Sequence, residues 1–125
     1  KDFNNFELQN AIGEKDIKKA FAIIQYFSQN PKNNPLVMTV ALLYSFFSKL
    51  LKYHAFTNKG DAAKALGVNP YFIKDYQTAA RNYPMKKVSA IIAAIREVDM
   101  KSKGVGAANL SQGDLLKELL VKIFN

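Results

Sequence analysis

The stretch that decides the fold is NPYFIKDYQTAARNYPMKKVSAIIAAIREVDMKSKG, residues 69–104. Asn69 and Pro70 predict the start of a helix, because asparagine caps a helix N-terminus and proline suits the first helical turn. This helix runs to about Asn82, and Pro84 starts the next one in the same way. The apolar residues of that next helix recur with the helical period: Val88, Ile91, Ile92, Ile95 and Val98. The stretch therefore predicts two successive helices, the second ending near its final glycine.

Together with the residues just before it, the first helix of this stretch forms a helix-turn-helix pattern. A short predicted helix over 61–66 ends at Gly67. Ala63, Gly67 and Ile73 lie at offsets 0, 4 and 10, where the motif has a small residue, a turn glycine and a core apolar residue. One hypothesis is therefore a helix-turn-helix DNA-binding domain of a transcriptional regulator.

The second helix of this pattern argues against the reading of DNA bases. Its early positions would enter the major groove, yet they contain no Arg, Gln or Ser. These positions are Pro70, Tyr71, Phe72, Lys74 and Asp75. Two adjacent aromatic rings are more typical of packing, and the carboxylate of Asp75 would repel phosphate.

Aromatic side chains elsewhere raise the same question, since a planar ring can stack on a base. The residues concerned are Tyr44, Phe46, Phe47, Tyr53, Phe56, Tyr71, Phe72 and Tyr76. Aromatic residues at helical spacing usually pack in a core. We therefore expect most of these eight rings to be buried.

Capping signals predict two more helices before the long one. Asn4 and Glu7 form a capping box, with Phe3 and Leu8 placed for a hydrophobic staple. Gly13 is predicted to close this first helix in the left-handed conformation. Asp16 favours the start of a second helix, whose apolar stripe is Ile17, Ala20, Phe21, Ile24 and Phe27.

A long helix is predicted over 35–56, with Pro35 in its first turn. Its first half is apolar nearly all round, which predicts burial among several neighbours. Near the end of the chain, 105–109 reads as a loop of small residues. Ser111 and Asp114 then give a second capping signature, followed by the stripe Leu115, Leu116, Leu119, Leu120, Ile123 and Phe124.

No segment alternates with period two for long enough to form a strand, so we predict an all-α fold, a compact bundle of six or seven helices. The chain fits one domain, 1–125, with an apolar content of 49% that supplies a core. Its longest apolar run, 36–47, falls short of the roughly 20 residues that span a bilayer. We expect a buried core helix there, no membrane contact, and a domain excised from a longer chain.

The chain is basic without having a basic tail. Residues 1–60 carry 8 basic and 4 acidic side chains, and residues 61–125 carry 10 and 6, which gives a net charge of +8. Evenly spread lysine is typical of a solvated surface, and it also suits a partner with negative charge.

The residue types that carry most catalytic and metal chemistry are scarce. There is no cysteine and one histidine, His54, so disulfides, thiolate metal sites and histidine clusters are excluded. No Walker A loop, GxGxxG or GxSxG motif occurs. Glu97 and Asp99 face different sides of one helix, and Asp99 is spaced to pair with Lys103. We predict no catalytic, cofactor or metal site, and a structural or surface role for His54.

The run from Gly67 onward resembles the C-terminal domain of the bacterial DNA polymerase III delta subunit. Three segments carry the resemblance in the family's order: GVNPYFIK (67–74), QTAARNY (77–83) and DMKSKG (99–104). In the middle segment this chain has one extra residue between Gln77 and the Ala-Arg pair. Upstream, FELQNAIGEKD (6–16) and the long helix ending in FSKLL are also similar, so the resemblance covers essentially the whole chain.

This resemblance implies a collar domain of a clamp loader. The family's full subunit joins an AAA+-like N-terminal region, which opens the sliding clamp and has no ATPase activity of its own, to a helical collar. The collar packs against the collars of the other clamp-loader subunits in a pentameric ring. The complex serves a DNA-directed DNA polymerase in the cytoplasm, and the sliding clamp and DNA are partners of the intact complex.

The resemblance also suggests contact residues. Tyr71, Lys74 and Arg81 lie in or beside the family pattern and are our candidate interaction residues. A ring subunit needs contacts on two sides, which an all-helical domain of mixed charge can supply. Two hypotheses from different classes thus remain, a protein-joining collar and a helix-turn-helix DNA reader.

Overall fold

The computed structural model describes residues 2–105 and 110–125, and within these ranges the chain is helical with no strand. The described residues form seven α-helices: α1 (Asn5–Gly13), α2 (Ile17–Gln29), α3 (Leu36–Ala55), α4 (Ala62–Leu66), α5 (Ile73–Asn82), α6 (Met85–Ser102) and α7 (Gln112–Phe124). Short 3-10 turns, Lys59–Asp61 and Pro70–Phe72, precede α4 and α5. The predicted all-α bundle is confirmed. The predicted loop over 105–109 lies outside the described residues, apart from Val105.

The central element of the bundle is α3. It packs against α1, α4, α5 and α6, while α7 packs against α2 and α6. Leu43, Phe47 and Leu50 of α3 have no exposed surface and join one continuous apolar core. By length and composition alone α3 could cross a membrane. Its packing against four other helices accounts for the apolar residues on its buried side.

The prediction that the first half of α3 is buried all round is wrong. Val37 and Met38 are 62% and 60% exposed, and Tyr44 is also exposed. The neighbouring helices bury the side of α3 that carries Val40 and Leu43 and leave these three side chains in solvent. The helix therefore presents an apolar strip at the surface.

Side chains from other segments complete both ends of α3. Pro35 precedes the helix and makes no side-chain cap, and the Leu36 N–H instead donates to Gln112 Oε1 at 2.6 Å. At the opposite end Lys59 Nζ donates to the carbonyl oxygen of Phe56 at 2.8 Å. Helix ends leave such backbone groups without intrahelical partners, so these contacts fix both ends of the central helix.

The predicted N-terminal caps are confirmed. The Glu7 N–H donates to Asn4 Oδ1 at 2.8 Å, and the Asn4 N–H donates to Glu7 Oε1 at 3.3 Å, which is the reciprocal capping box. Asp16 and Ser111 each accept a hydrogen bond from the N–H three residues further on, at 3.1 Å in both cases. Local sequence therefore sets the start of α1, α2 and α7.

The predicted role of Gly13 is wrong. Gly13 is still helical, and the left-handed residue is Lys15, with φ 58°. The Asp16 N–H donates to the Ala11 carbonyl at 2.8 Å and the Lys15 N–H to the Ile12 carbonyl at 2.9 Å, which is a Schellman turn. A Cβ added at Gly13 would lie 3.6 Å from the Phe46 ring, which is an ordinary van der Waals contact that leaves no room for a larger side chain.

The junction between α5 and α6 is tied to the end of α1. Tyr83 is fully buried, and its hydroxyl donates to the carbonyl oxygen of Ile12 at 2.6 Å. Asn82 Nδ2 donates to the carbonyl oxygen of Gly13 at 2.8 Å. His54 Nε2 lies 2.7 Å from the carbonyl oxygen of Tyr83, which gives this histidine the structural one of its two predicted roles.

Candidate interaction surfaces

Two of the three candidate residues lie together at the start of α5. Tyr71 is 65% exposed, and Lys74 Nζ lies 4.1 Å from the centroid of its ring. The turn is set locally, since Asn69 Oδ1 accepts a hydrogen bond from the Tyr71 N–H at 2.8 Å. Phe72 packs edge-on against Tyr71 and against Phe6 of α1, with ring centroids 5.2 and 5.7 Å apart. The result is an aromatic patch with a lysine over its outer ring.

Arg81, the third candidate, lies on the same face but not in the same patch. Lys74, Thr78 and Arg81 are spaced by four and three residues, so they share one side of α5. Two turns of helix place Arg81 about 10 Å beyond Lys74 along the axis. Its guanidinium is exposed and donates to Thr78 Oγ1 at 3.4 Å. We call Tyr71, Lys74, Thr78 and Arg81 the α5 face. Its function in contacts stays a prediction.

The helix-turn-helix hypothesis receives no support from this geometry. Gly67 has the turn conformation, with φ 71°, but α4 contains only five residues, about one and a half helical turns. The second helix begins as a 3-10 turn. Phe72, at a position that would face the groove of DNA, is half-buried against Phe6. Ile73 packs on the core as predicted.

Four of the eight aromatic residues are buried in the core, which is half of the set and not the majority that we predicted. Phe46, Phe47, Tyr53 and Tyr76 are buried, and two others are half-buried. Burial raises the pKa of the Tyr76 phenol to about 12, with the nearby Asp75 carboxylate adding to it. The exposed exceptions are Tyr71, on the α5 face, and Tyr44, on α3.

Tyr44 belongs to a groove between α3 and α6. The groove has a volume of about 310 Å³, and its lining is mostly apolar. We call it the α3–α6 groove. Its walls include Val37, Ala41 and Tyr44 from α3 and Ile95, Arg96 and Asp99 from α6.

Two polar contacts order the rim of this groove. The Arg96 guanidinium donates to Tyr44 Oη at 3.1 Å and lies 5.7 Å from the centroid of that ring. The hydrogen bond, with the positive charge behind it, lowers the pKa of the Tyr44 phenol. Asp99 Oδ2 pairs with Lys103 Nζ at 3.0 Å, as the spacing predicts. The rim thus presents an ordered arginine beside a carboxylate that already has a partner.

Charged residues elsewhere on α6 have a structural role. Glu97 Oε1 accepts from Lys122 Nζ of α7 at 2.9 Å and lies 3.1 Å from Lys101 Nζ, which in turn reaches Glu118 Oε1 at 2.7 Å. The hydrogen bonds from Lys122 and Lys101 lower the pKa of the Glu97 carboxyl. This network ties α6 to α7. In the part of the chain that the structure describes, no three His, Cys, Asp or Glu side chains are grouped to hold a metal ion.

The α3–α6 groove escapes sequence reasoning because its walls come from separate segments. Tyr44 and Arg96 are 52 residues apart, and no local pattern links them. A signal for the α3 wall does exist, since a helix that is apolar nearly all round is either buried on every side or covered by something at the surface.

The fold defines a compact all-α domain, and the exposed tyrosines and arginines on its two surfaces are the side chains enriched where proteins meet. Comparison with known protein families identifies the family to which this domain belongs. The chain belongs to the family of the DNA polymerase III delta subunit, C-terminal domain, whose model matches residues 2–122. The search of curated proteins gave no match. The search of solved structures also gave none.

Proposed function

We propose that this chain is the non-catalytic collar domain of a DNA polymerase III delta subunit and that it holds the subunit in the clamp loader. The observation that carries the proposal is the family match, because it spans residues 2–122 and so accounts for nearly the whole chain. The partners are the collars of the other loader subunits. The sliding clamp and DNA are met through the assembled complex in the cytoplasm, and clamp opening resides in an AAA+-like region of the parent subunit.

The α5 face supports this proposal as one of the contact surfaces. Exposed aromatic rings and arginines are enriched among residues that dominate binding energy. Tyr71 is held at the surface by Phe72 beneath it and by Lys74 beside it, so little side-chain freedom is lost when a partner covers it. Tyr71, Lys74 and Arg81 are therefore proposed as contact residues for one neighbouring subunit.

Assembly is tested by mixing the purified chain with the other loader subunits of the same organism and separating the mixture by size-exclusion chromatography. The chain is expected to elute with at least one of them. Tyr71→Ala and Arg81→Ala are expected to weaken that association, each by about 1–2 kcal/mol. The matched control is Lys64→Ala, an exposed basic residue on α4. Failure to elute with any loader subunit would overturn the proposal.

DNA binding is the second half of the test. A net charge of +8 is sufficient for weak, salt-sensitive binding to any duplex, so the informative quantity is the ratio between one sequence and random DNA. We expect a ratio near one at every salt concentration. A strong preference for one duplex, abolished by Tyr71→Ala or Lys74→Ala, would instead establish a DNA reader.

A further inference from the structure

The α3–α6 groove is an apolar surface that the fold leaves uncovered. Val37, on its wall, is 62% exposed, and the adjacent Met38 is 60% exposed. Ala41, between Val37 and Tyr44 on the same side of α3, is exposed as well. Clustered apolar exposure of this kind marks a contact site more often than scattered single residues do. The small side chain of Ala41 also lets a partner approach the backbone of α3.

The charge at the groove's rim indicates what the partner carries. Arg96 has five N–H donors, and its described hydrogen bond, to Tyr44 Oη, uses one of them. That contact positions the planar guanidinium at the edge of the groove. A positioned guanidinium binds a carboxylate through two parallel hydrogen bonds. Asp99 does not take this place, because its carboxylate pairs with Lys103.

The same charges argue against a second copy of this chain as the occupant. Two copies would each bring a net charge of +8, and like charges oppose association. The strip of α3 that would face its own copy contains no acidic residue, since Leu36–Ala55 has neither Asp nor Glu. A partner with acidic and apolar residues on one helix face complements the groove in both respects.

We propose that the α3–α6 groove docks a helix of a neighbouring loader subunit, one that presents apolar side chains to Val37 and Ala41 and a carboxylate to Arg96. This inference rests on the proposed collar function and names a second surface, distinct from the α5 face. A helix fits because two helices already form the groove, and a third packs into it by the same ridge-into-groove geometry.

Binding of the purified neighbouring subunits to immobilised chain tests the proposal. Arg96→Ala is expected to weaken binding about 10- to 100-fold, as truncation of an interfacial arginine does. Arg96→Lys restores only part of this loss, because it keeps the charge but not the planar fork. Val37→Ser is expected to weaken binding about 5- to 10-fold. The matched controls are Lys117→Ala and Val121→Ser, both exposed on α7, and these leave affinity unchanged.

The outcomes separate the two proposals. If the unmodified chain binds a loader subunit and Arg96→Ala and Val37→Ser bind equally well, the groove proposal is overturned and the collar function stands. If the unmodified chain binds none of the subunits, both proposals are overturned. Circular dichroism of each variant verifies that the helical fold is retained, which the exposure of both side chains leads us to expect.

A photo-crosslinking amino acid at Ala41 identifies the occupant directly. In the mixture of subunits it is expected to capture a helical segment of a neighbouring subunit that contains an Asp or Glu within a turn of the attachment point. The same probe at Lys117 is the control and is expected to capture no such segment. Capture of a second copy of this chain, or of a segment without an acidic residue, would overturn the proposal.

Discussion

Replacing Tyr83 by phenylalanine removes a single hydroxyl group from the point where α1 meets the α5–α6 junction. The side chain is fully buried, its hydroxyl donates to the carbonyl oxygen of Ile12 at 2.6 Å, and its ring packs edge-on against Phe47 with centroids 5.8 Å apart. Because the ring is retained, the substitution tests the hydrogen bond and leaves the packing unchanged.

The expected loss is moderate because the acceptor keeps a partner. The carbonyl oxygen of Ile12 also accepts from the Lys15 N–H at 2.9 Å, within the Schellman turn. It is therefore not left as an unsatisfied buried group. The net value of one hydrogen bond is about 1 kcal/mol, so Tyr83→Phe should lower the free energy of unfolding by about that amount. For a domain of this size the melting temperature should fall by roughly 4 °C.

Urea unfolding followed by far-UV circular dichroism measures this loss, and the slope of the transition should not change. Tyr71→Phe is the control, since that ring is 65% exposed and surface changes usually stay within about 0.5 kcal/mol. No loss for Tyr83→Phe would mean that the hydroxyl does not hold α1. A loss above about 3 kcal/mol would mean that the Ile12 carbonyl is not satisfied by the turn, and either result would refute the reasoning.

Three further predictions concern backbone conformation, close packing and pH. Lys15→Gly should raise the free energy of unfolding by about 1 kcal/mol in the same urea assay, because Lys15 occupies the left-handed region that glycine adopts without strain; destabilisation would contradict this. Gly113→Ala should lower the free energy of unfolding by about 1–3 kcal/mol, since the added Cβ would stand 2.6 Å from Ser28 Cβ, and Ser28→Gly in the same chain should restore much of it. Burial raises the pKa of Tyr76 to about 12, so the unfolded chain loses this proton first, near pH 10. Stability should therefore be intact below about pH 10 and fall as the pH rises towards 12, and Tyr76→Phe should make that fall smaller in urea unfolding at successive pH values.

Local signals in the sequence were sufficient for the helices and their starts. Asn4 with Glu7, Asp16, Ser111 and Gly67 each act within a few residues, and each has the predicted role. Capping depends on atoms three or four residues apart, so the sequence contains all the information that it requires.

Gly13 shows where such local reasoning fails. A glycine after an apolar run suggests a left-handed cap, but the chain turns two residues later, at Lys15. What limits the size of the side chain at Gly13 is the proximity of Phe46 and Ala79, since an added Cβ would already be in van der Waals contact with them at 3.6 and 3.7 Å. Those residues come from α3 and α5, so only the tertiary structure reveals the reason.

The α5 face and the α3–α6 groove also differ in how far the local sequence predicts them. Tyr71 and Lys74 are three residues apart, and their contact follows from helical geometry alone. The groove between α3 and α6 depends on which helices become neighbours, and periodicity does not report that. An apolar helix surface predicts that something covers it, without saying whether the cover is part of the same chain. Val37 and Met38 show this limit, since their apolar pattern suggests a core position and yet both side chains are exposed.

The stretch 69–104 contributes residues to both the α5 face and the α3–α6 groove, and its packing on the rest of the bundle positions both surfaces. Its two helices, α5 and α6, both pack against α3, and Tyr83 between them is fixed to α1. With this junction held, Lys74 of α5 and Tyr71 of the preceding turn face outward, while Arg96 of α6 faces Tyr44. In a DNA reader, α5 would be the exposed recognition helix. The following helix, α6, would serve only to support α5. The proposed ring of unlike subunits needs two separate surfaces on each member, and the exposed aromatic and arginine side chains carried by both helices match that requirement.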